Sequence, residues 1–431
     1  MSEPSAARGA QGRARNDLDC TPLIRGAQKE WFAQLREEVA AGRPYVYTDA
    51  YAPHEILEAF DLPHVINEWW SGIVAARRQS AYYFDTLESQ GYHSGLERYT
   101  ALGLATVLDD GAAEAPWGGL PKPAFICASA MSARGDALAR WEILSRAWDV
   151  PLFVAEVPAS GLPLPPRWWE IARHGWEQMY PTWQLDRMTE TYWDLIRKCE
   201  EVTGTRFDID KLREVMDRAN LQQTYFEEIR DTIINGKSPV SMSEQLGNVM
   251  TIQWRRGSEW ATNAARQLRD EIVERAANGQ FSCPDETYRL TWFGAGLWQN
   301  TAFYRAFEES HATIFARSMY MSIAIDGYPR YGRDPVRALA SRYCGIGLGS
   351  LDWEIHDTKR HRADGVVTVG NNIGGRARAA FAEADLPLLI LDVDLVDGRT
   401  WDEERVMGQM KAFIEEQIMP RRNLSSNNTG A

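Results

Sequence analysis

Two side chains that could do acid–base or metal chemistry stand four residues apart in GYHSGLERY: His93 and Glu97. On a helix that spacing puts both on one face, where they could hold a metal ion or pass a proton. The same spacing suits a solvated or capped helix start. Two ligands without a third do not make a metal site, so no metal is assigned to this chain. The thiols are Cys20, Cys127, Cys199, Cys283 and Cys344, and no two are close enough in sequence for a C-x-x-C clamp. Cys127 lies near the carboxyl end of the run AFICA, and Cys344 lies beside a loop in SRYCGIG. Each is either a small buried apolar residue or a thiol facing a ligand, and neither has a visible activating neighbour. His356 and His361 fall in the charged stretch HDTKRHRADG and read as surface residues.

Other chemistries lack their signatures. The runs GAGLWQN (294–300) and GIGLGS (345–350) are not followed by Gly-Lys-Ser/Thr, and neither has the full G-x-G-x-x-G context of a dinucleotide site. Loose glycine pairs are common in turns. A phosphate contact through loop or helix-terminal N–H groups fits them better. There is no G-x-S-x-G elbow and no H-E-x-x-H helix.

The elements that would position these residues alternate between strand and helix. Short β-rich runs occur at Tyr45–Thr48, Ala124–Ala128, Pro151–Val157, Arg289–Phe293, Ala312–Phe315, Gly365–Val369 and Leu386–Asp392. Most are apolar on both faces, as in buried parallel strands. Helical stretches follow Pro53 and cover Asp136–Trp148 and Thr400–Glu416. Residues 166–278 hold almost no strand signal, and Leu185, Met188, Tyr192, Leu195, Ile196 and Cys199 recur there at helical spacing. A further helix starts in FDIDKLREVM, with Asp208 or Asp210 as N-cap. The expected fold class is α/β: two doubly wound (Rossmann- or flavodoxin-like) domains with a helical insert. The division is a disordered tail over 1–28, a first α/β domain over 29–165, a helical region over 166–280, a second α/β domain over 281–420 and a disordered tail over 421–431. The second strand set ends in ILDVD, acidic residues at the carboxyl edge where open α/β sheets place ligands.

Composition narrows the partners. The 431 residues are 44% apolar and 25% charged, the ordinary globular balance, so a sizeable core is expected. Lys plus Arg is 47 and Asp plus Glu is 60, a formal charge of −13 that repels nucleic-acid phosphates and anionic membranes. The 17 Trp residues suit helix packing, subunit interfaces or flat ligands. The polar, Arg-containing first 16 residues do not read as a signal peptide, and no apolar stretch is long enough to span a membrane. A reducing, cytoplasmic location is the expectation.

Several segments taken together resemble one family. They are GRPYVYTDAYAPHEILEAFDLPHVINEWW, ESQGYHSGLERYTALGL, LPKPAFICASAMSARGDALARWEILSRAWDVPLFVAEVP, KCEEVTGTRFDIDKLREVM and RADGVVTVGNNIGGRARAAFAEADLPLLILDVDLVDGR. In order and spacing they are similar to the benzoyl-CoA reductase / 2-hydroxyacyl-CoA dehydratase superfamily, on its large-subunit side, over roughly Trp31 to Glu416. The resemblance implies heterodimers of related subunits, each of two α/β domains. It further implies an acyl-CoA substrate, a [4Fe–4S] cluster held by cysteines from three loops, and a separate ATP-hydrolysing activator that delivers an electron.

This chain departs from the pattern at the cluster. The family's cysteine positions fall at Glu97, at or beside Ser132, and at or beside Gly374, with Cys127 five residues upstream of Ser132. The expectation is a chain that binds no cofactor itself and pairs with a paralogous, cluster-bearing subunit. Glu97, His93 and Ser132 would then be the catalytic candidates. Asn371, Asn372, Gly374, Gly375 and Cys127 would line the acyl-CoA pocket. Two alternatives stand beside it: a redox-independent acyl-CoA hydratase or lyase using Glu97 as acid or base, and a non-catalytic structural subunit.

Overall fold

A computed structural model of the chain describes residues 17–92, 98–109, 115–129, 136–158, 162–321, 330–345, 350–370 and 373–422. Strands β1 (Val46–Thr48), β2 (His64–Ile66), β3 (Phe125–Ser129) and β4 (Leu152–Ala155) form a parallel sheet in the order β2-β1-β3-β4. Strands β5 (Tyr288–Trp292), β6 (Thr313–Arg317), β7 (Gly365–Val369) and β8 (Leu388–Leu391) repeat the arrangement in the order β6-β5-β7-β8. Both sheets are therefore flavodoxin-like, and each has a switch point between its first and third strands. Strands β3, β5, β6 and β7 are buried along their whole length, whereas the edge strands β4 and β8 are partly exposed. This is why the sequence runs are apolar on both faces rather than alternating.

In the first unit, α1 (Cys20–Ala40) precedes β1. Helix α2 (His54–Ala59) follows β1; α3 (Asn67–Ala76), α4 (Ser80–Ser89) and α5 (Arg98–Leu108) follow β2; and α6 (Asp136–Trp148) follows β3. Between the sheets lie the helices Thr182–Thr203, Ile209–Asn235, Met242–Gln253 and Glu259–Ala277. Asp208 caps the second of these, its carboxylate accepting from the N–H groups of Asp210 (2.9 Å) and Lys211 (3.4 Å). The stripe Leu185, Met188, Tyr192, Leu195, Ile196 and Cys199 is buried in a core shared with Val46, Phe125 and Cys127 of the first sheet. A larger core joins Tyr47 and Ile126 of the first sheet to Leu290, Trp292, Ile314 and Val367 of the second, through Leu246, Val249 and Met250 of the Met242–Gln253 helix.

Four expectations need correction. Strand β2 is absent from the strand runs read from the sequence: with three residues between Pro63 and Asn67 it is too short to show a period. The tail assigned to 1–28 is too long, because α1 begins at Cys20. That start is held by tertiary contacts that leave no local signal: Glu244 accepts from the N–H groups of Asp17 (3.0 Å) and Leu18 (2.9 Å), and Glu271 accepts from Cys20 N–H (3.0 Å). At the other end, Arg421 and Arg422 are still helical and pair with Asp385 (2.5 Å) and Asp364 (2.8 Å). His361 is buried rather than on the surface, its Nδ1 lying 2.7 Å from the Asp357 carbonyl oxygen.

His361 belongs to an ionic cluster inside the second unit. Arg317, at the end of β6 and fully buried, reaches Glu354 and Asp357 at 2.6 Å each. Burial pushes the Asp357 carboxyl up, but the facing His361 and the Arg317 and Arg230 guanidiniums more than reverse this and hold it at about 2. Removing one member of such a cluster strands a buried charge. Asp357→Ala is expected to lower stability by about 3–5 kcal/mol in urea unfolding, whereas Arg197→Ala, at an exposed pair, changes it by less than about 0.5 kcal/mol.

Burial also holds the His64 imidazole down at about 4, against an ordinary 6.5. The unfolded chain therefore takes up a proton there as pH falls below about 6.5, and the folded chain does not until about 4. Stability is expected to fall across that window. His64→Gln should flatten the fall in pH-dependent thermal melts.

Candidate functional site

The carboxyl edges of the two sheets converge. Asp49, directly after β1 and fully buried, closes the first switch point: its carboxylate accepts from the N–H (2.5 Å) and hydroxyl (3.0 Å) of Ser129 at the end of β3, and from Tyr51 N–H (2.7 Å). Helix α3 starts straight after β2 and brings in Glu68, which is buried and accepts from Ala50 N–H at 3.0 Å. Asn67 beside it accepts from the Tyr47 hydroxyl (2.7 Å) and donates to Thr100 O (3.0 Å), fixing α5 against α3. Tyr99 of α5 donates its hydroxyl to Glu68 O at 3.0 Å.

The second sheet supplies the facing wall. Trp298, from the loop after β5, lies between Tyr99 (ring centroids 6.5 Å apart, 24° between planes) and Tyr320 (6.0 Å), the latter from the segment after β6. Its indole also rests on α3, where a Cβ at Gly72 would meet it at 3.7 Å. Burial pushes the Tyr320 phenol above its ordinary range; Tyr51 and Glu68 stand near it, and Gly296 and Tyr99 are its hydrogen-bonding contacts. The convergence is thus a packed aromatic contact with the buried Glu68 carboxylate beside it. Aromatic faces of this kind suit a flat or apolar acyl group, and a buried carboxylate suits proton handling.

At the second switch point, Thr368 Oγ donates to Phe293 O (2.7 Å) and ties the end of β7 to the end of β5. The helix Gly375–Glu383 starts there with Gly374 as N-cap, no side chain capping it and no acidic residue in its first turn. Among the described residues, a Cβ at Gly370, Gly374 or Gly375 would meet nothing within 4 Å, so these leave the backbone there open to approach. Unpaired N–H groups at a helix start bind phosphate or a developing oxyanion.

The motif DLVDGR after β8 joins the two walls. Asp394 accepts from the N–H groups of Val396 and Asp397 at 2.9 Å each, shaping the loop. Asp397, 1% exposed, then pairs with Arg98 at the start of α5 and with Arg399 (2.9 Å), which also reaches Asp85 at 2.7 Å. Arg98 is the residue after Glu97, and this bridge fixes the start of α5.

Of the sequence candidates, Gly374 and Gly375 line this edge. His93, Glu97, Ser132, Asn371 and Asn372 lie outside the described residues. Cys127 needs correction as a pocket residue: it is wholly buried on the far face of β3, among Tyr192, Leu195 and Cys199, and burial drives its thiol far up. Sequence reasoning misses Asp49 and Glu68. Asp49 carries the same signal as ILDVD, an acid closing a strand. Glu68 is hidden because β2 is too short to be recognised.

The thiols do not form the donor set that a [4Fe–4S] cluster requires. All five are buried, and burial is the main force raising each, with Cys199, Cys283 and Cys344 pushed up to about 12. No group of three or more His, Cys, Asp or Glu able to hold a metal occurs among the described residues. Cluster ligation needs several thiolates converging on one point, and these five do not supply them.

Residues 49–416 match the family 2-hydroxyglutaryl-CoA dehydratase, D-component, and the chain belongs to that family. It is 24% identical over 280 residues (64% of each chain) to the (R)-2-hydroxyisocaproyl-CoA dehydratase alpha subunit of Clostridioides difficile. It is 22% identical over 249 residues (57% of this chain, 56% of the other) to the (R)-phenyllactyl-CoA dehydratase alpha subunit of Clostridium sporogenes. A benzoyl-CoA reductase subunit of Thauera aromatica is 24% identical over 298 residues, 58% of this chain and 66% of that one. The chain thus spans less than two thirds of the length of these curated relatives.

Asp397→Asn keeps the shape of the bridge and removes its charge. It is expected to lower stability by about 1–3 kcal/mol in urea unfolding. An unchanged midpoint would mean that the seam is held by its aromatic contacts alone.

Proposed function

We propose that this chain is the cluster-free partner in a heteromeric acyl-CoA-processing enzyme of the 2-hydroxyacyl-CoA dehydratase / benzoyl-CoA reductase type. The observation that carries the reading is the fate of the thiols. Where the family places three loop cysteines, this sequence has Glu97, Ser132 or a neighbour, and Gly374, while its own five cysteines are buried. Electron transfer would rest with a paralogous subunit that holds the [4Fe–4S] cluster, supplied by an ATP-dependent activator. This chain's residues would shape the acyl-CoA pocket. Trp298, Tyr99 and Tyr320 would hold the acyl group. The open N–H groups at Gly374 and Gly375 would bind the thioester oxygen or a phosphate, and Glu97, with Ser132 and His93, would handle protons.

A second reading keeps the pocket and drops the electron: a hydratase or lyase with Glu97 as acid or base. The open helix start at Gly375 favours it to the extent that an oxyanion donor is in place without a metal. Both readings place the chain in the cytoplasm.

The two are separated by assaying a 2-hydroxyacyl-CoA with this chain alone and with its paralogue, with and without reductant, ATP and activator. The leading reading expects turnover only from the complete, reduced assembly. Turnover by this chain alone without reductant, abolished in Glu97→Gln, would overturn it in favour of the second.

A further inference from the structure

A cavity of about 260 Å³ lies in the seam between the two α/β units, lined by Arg78, Ser80 and Ala81 on one side and by Asn300, Arg399 and Trp401 on the other. Asn300 is two residues from Trp298, and the lining residues Val396, Gly398 and Arg399 flank Asp397. Two of the cavity's residues are buried with polar groups unused. Asn300 is 3% exposed, and among the described residues neither end of its amide has a hydrogen-bond partner; Ser80 is 2% exposed, and its hydroxyl has none there either. Buried polar groups left this way cost about 1–3 kcal/mol each, so two facing one cavity mark a place that a polar guest completes.

The charge of that guest follows from the surroundings. Ser80 and Ala81 open α4, a ten-residue helix. Its N-cap Gln79 makes no side-chain cap, and its first turn has no acidic residue, so the positive end of the helix meets the cavity. Two guanidiniums, Arg78 and Arg399, stand at the rim. The carboxylates close by, Asp397 and Asp85, are shared with Arg399 and Arg98. A hydroxyl, an amide and helix N–H groups around a cationic rim are the donors a tetrahedral oxyanion takes.

We propose that this seam cavity is a phosphate-binding site, built by Ser80 and the start of α4 from the first unit and by Asn300 from the second. The phosphate could be inorganic phosphate or a phosphate of a CoA nucleotide. Only the second source rests on the acyl-CoA reading given above. Because both units contribute, occupancy also clamps the seam.

The test is titration of the full chain with inorganic phosphate at low ionic strength, by calorimetry and thermal melting, with chloride at matched ionic strength as control. Wild type is expected to bind saturably and to melt higher with phosphate. Asn300→Asp, which keeps the shape and adds a negative charge, should weaken binding at least about tenfold. Ala81→Glu, at a half-exposed position that tolerates a larger side chain, should do the same with circular dichroism unchanged. No saturable phosphate effect in wild type, or equal binding in a folded Ala81→Glu variant, would overturn the proposal. Competition by CoA but not by 3′-dephospho-CoA supports the nucleotide as the source. Phosphate binding that CoA does not displace supports a free-anion site and leaves the acyl-CoA reading untouched.

Discussion

Asp397 is the point on which the rest of the site depends. Its buried carboxylate takes one guanidinium from the first α/β unit and one from its own loop, so the two carboxyl edges are held face to face. A nearly buried carboxylate between cations is stable only while both sides are present. The same bridge fixes the start of α5, which in turn sets Tyr99 over Glu68 and against Trp298. Without it, two separate flavodoxin-like sheets would each present an open edge and no shared aromatic contact.

The duplicated strand order explains why the contact lies there. In each sheet the chain runs outward from the first strand and then back past it, so the loops after the first and third strands diverge. In the first sheet that gap is filled by Asp49 bonding to Ser129. In the second it is spanned by Thr368 and Phe293, and the Gly375 helix start is left open beside it. One switch point therefore stiffens the wall and the other leaves backbone donors free.

Much of this is legible in the sequence. Seven of the eight strands are visible as apolar runs, because buried parallel strands need apolar residues on both faces. The Asp208 cap and the Leu185–Cys199 stripe are visible because helix caps and periods are local. What stays hidden is set by distant contacts or by brevity. Strand β2 has three residues. The start of α1 is held by Glu244 and Glu271, more than 200 residues away. His361 looks like surface because the arginines that complete its cluster, Arg317 and Arg230, come from distant elements, although Asp357 lies one turn before it. Cys127 looks close to a strand end, yet its side chain points to the face covered by the helical region.

The absence of thiolates where the family's cluster would sit is the central claim, and iron content tests it most directly. The chain would be purified anaerobically, alone and co-expressed with a cluster-bearing paralogue, and its iron and acid-labile sulfide measured per chain with the native mass. The account predicts iron near zero on this chain alone, with a cluster present only in the heteromer. About four irons and four sulfides on this chain by itself would contradict it.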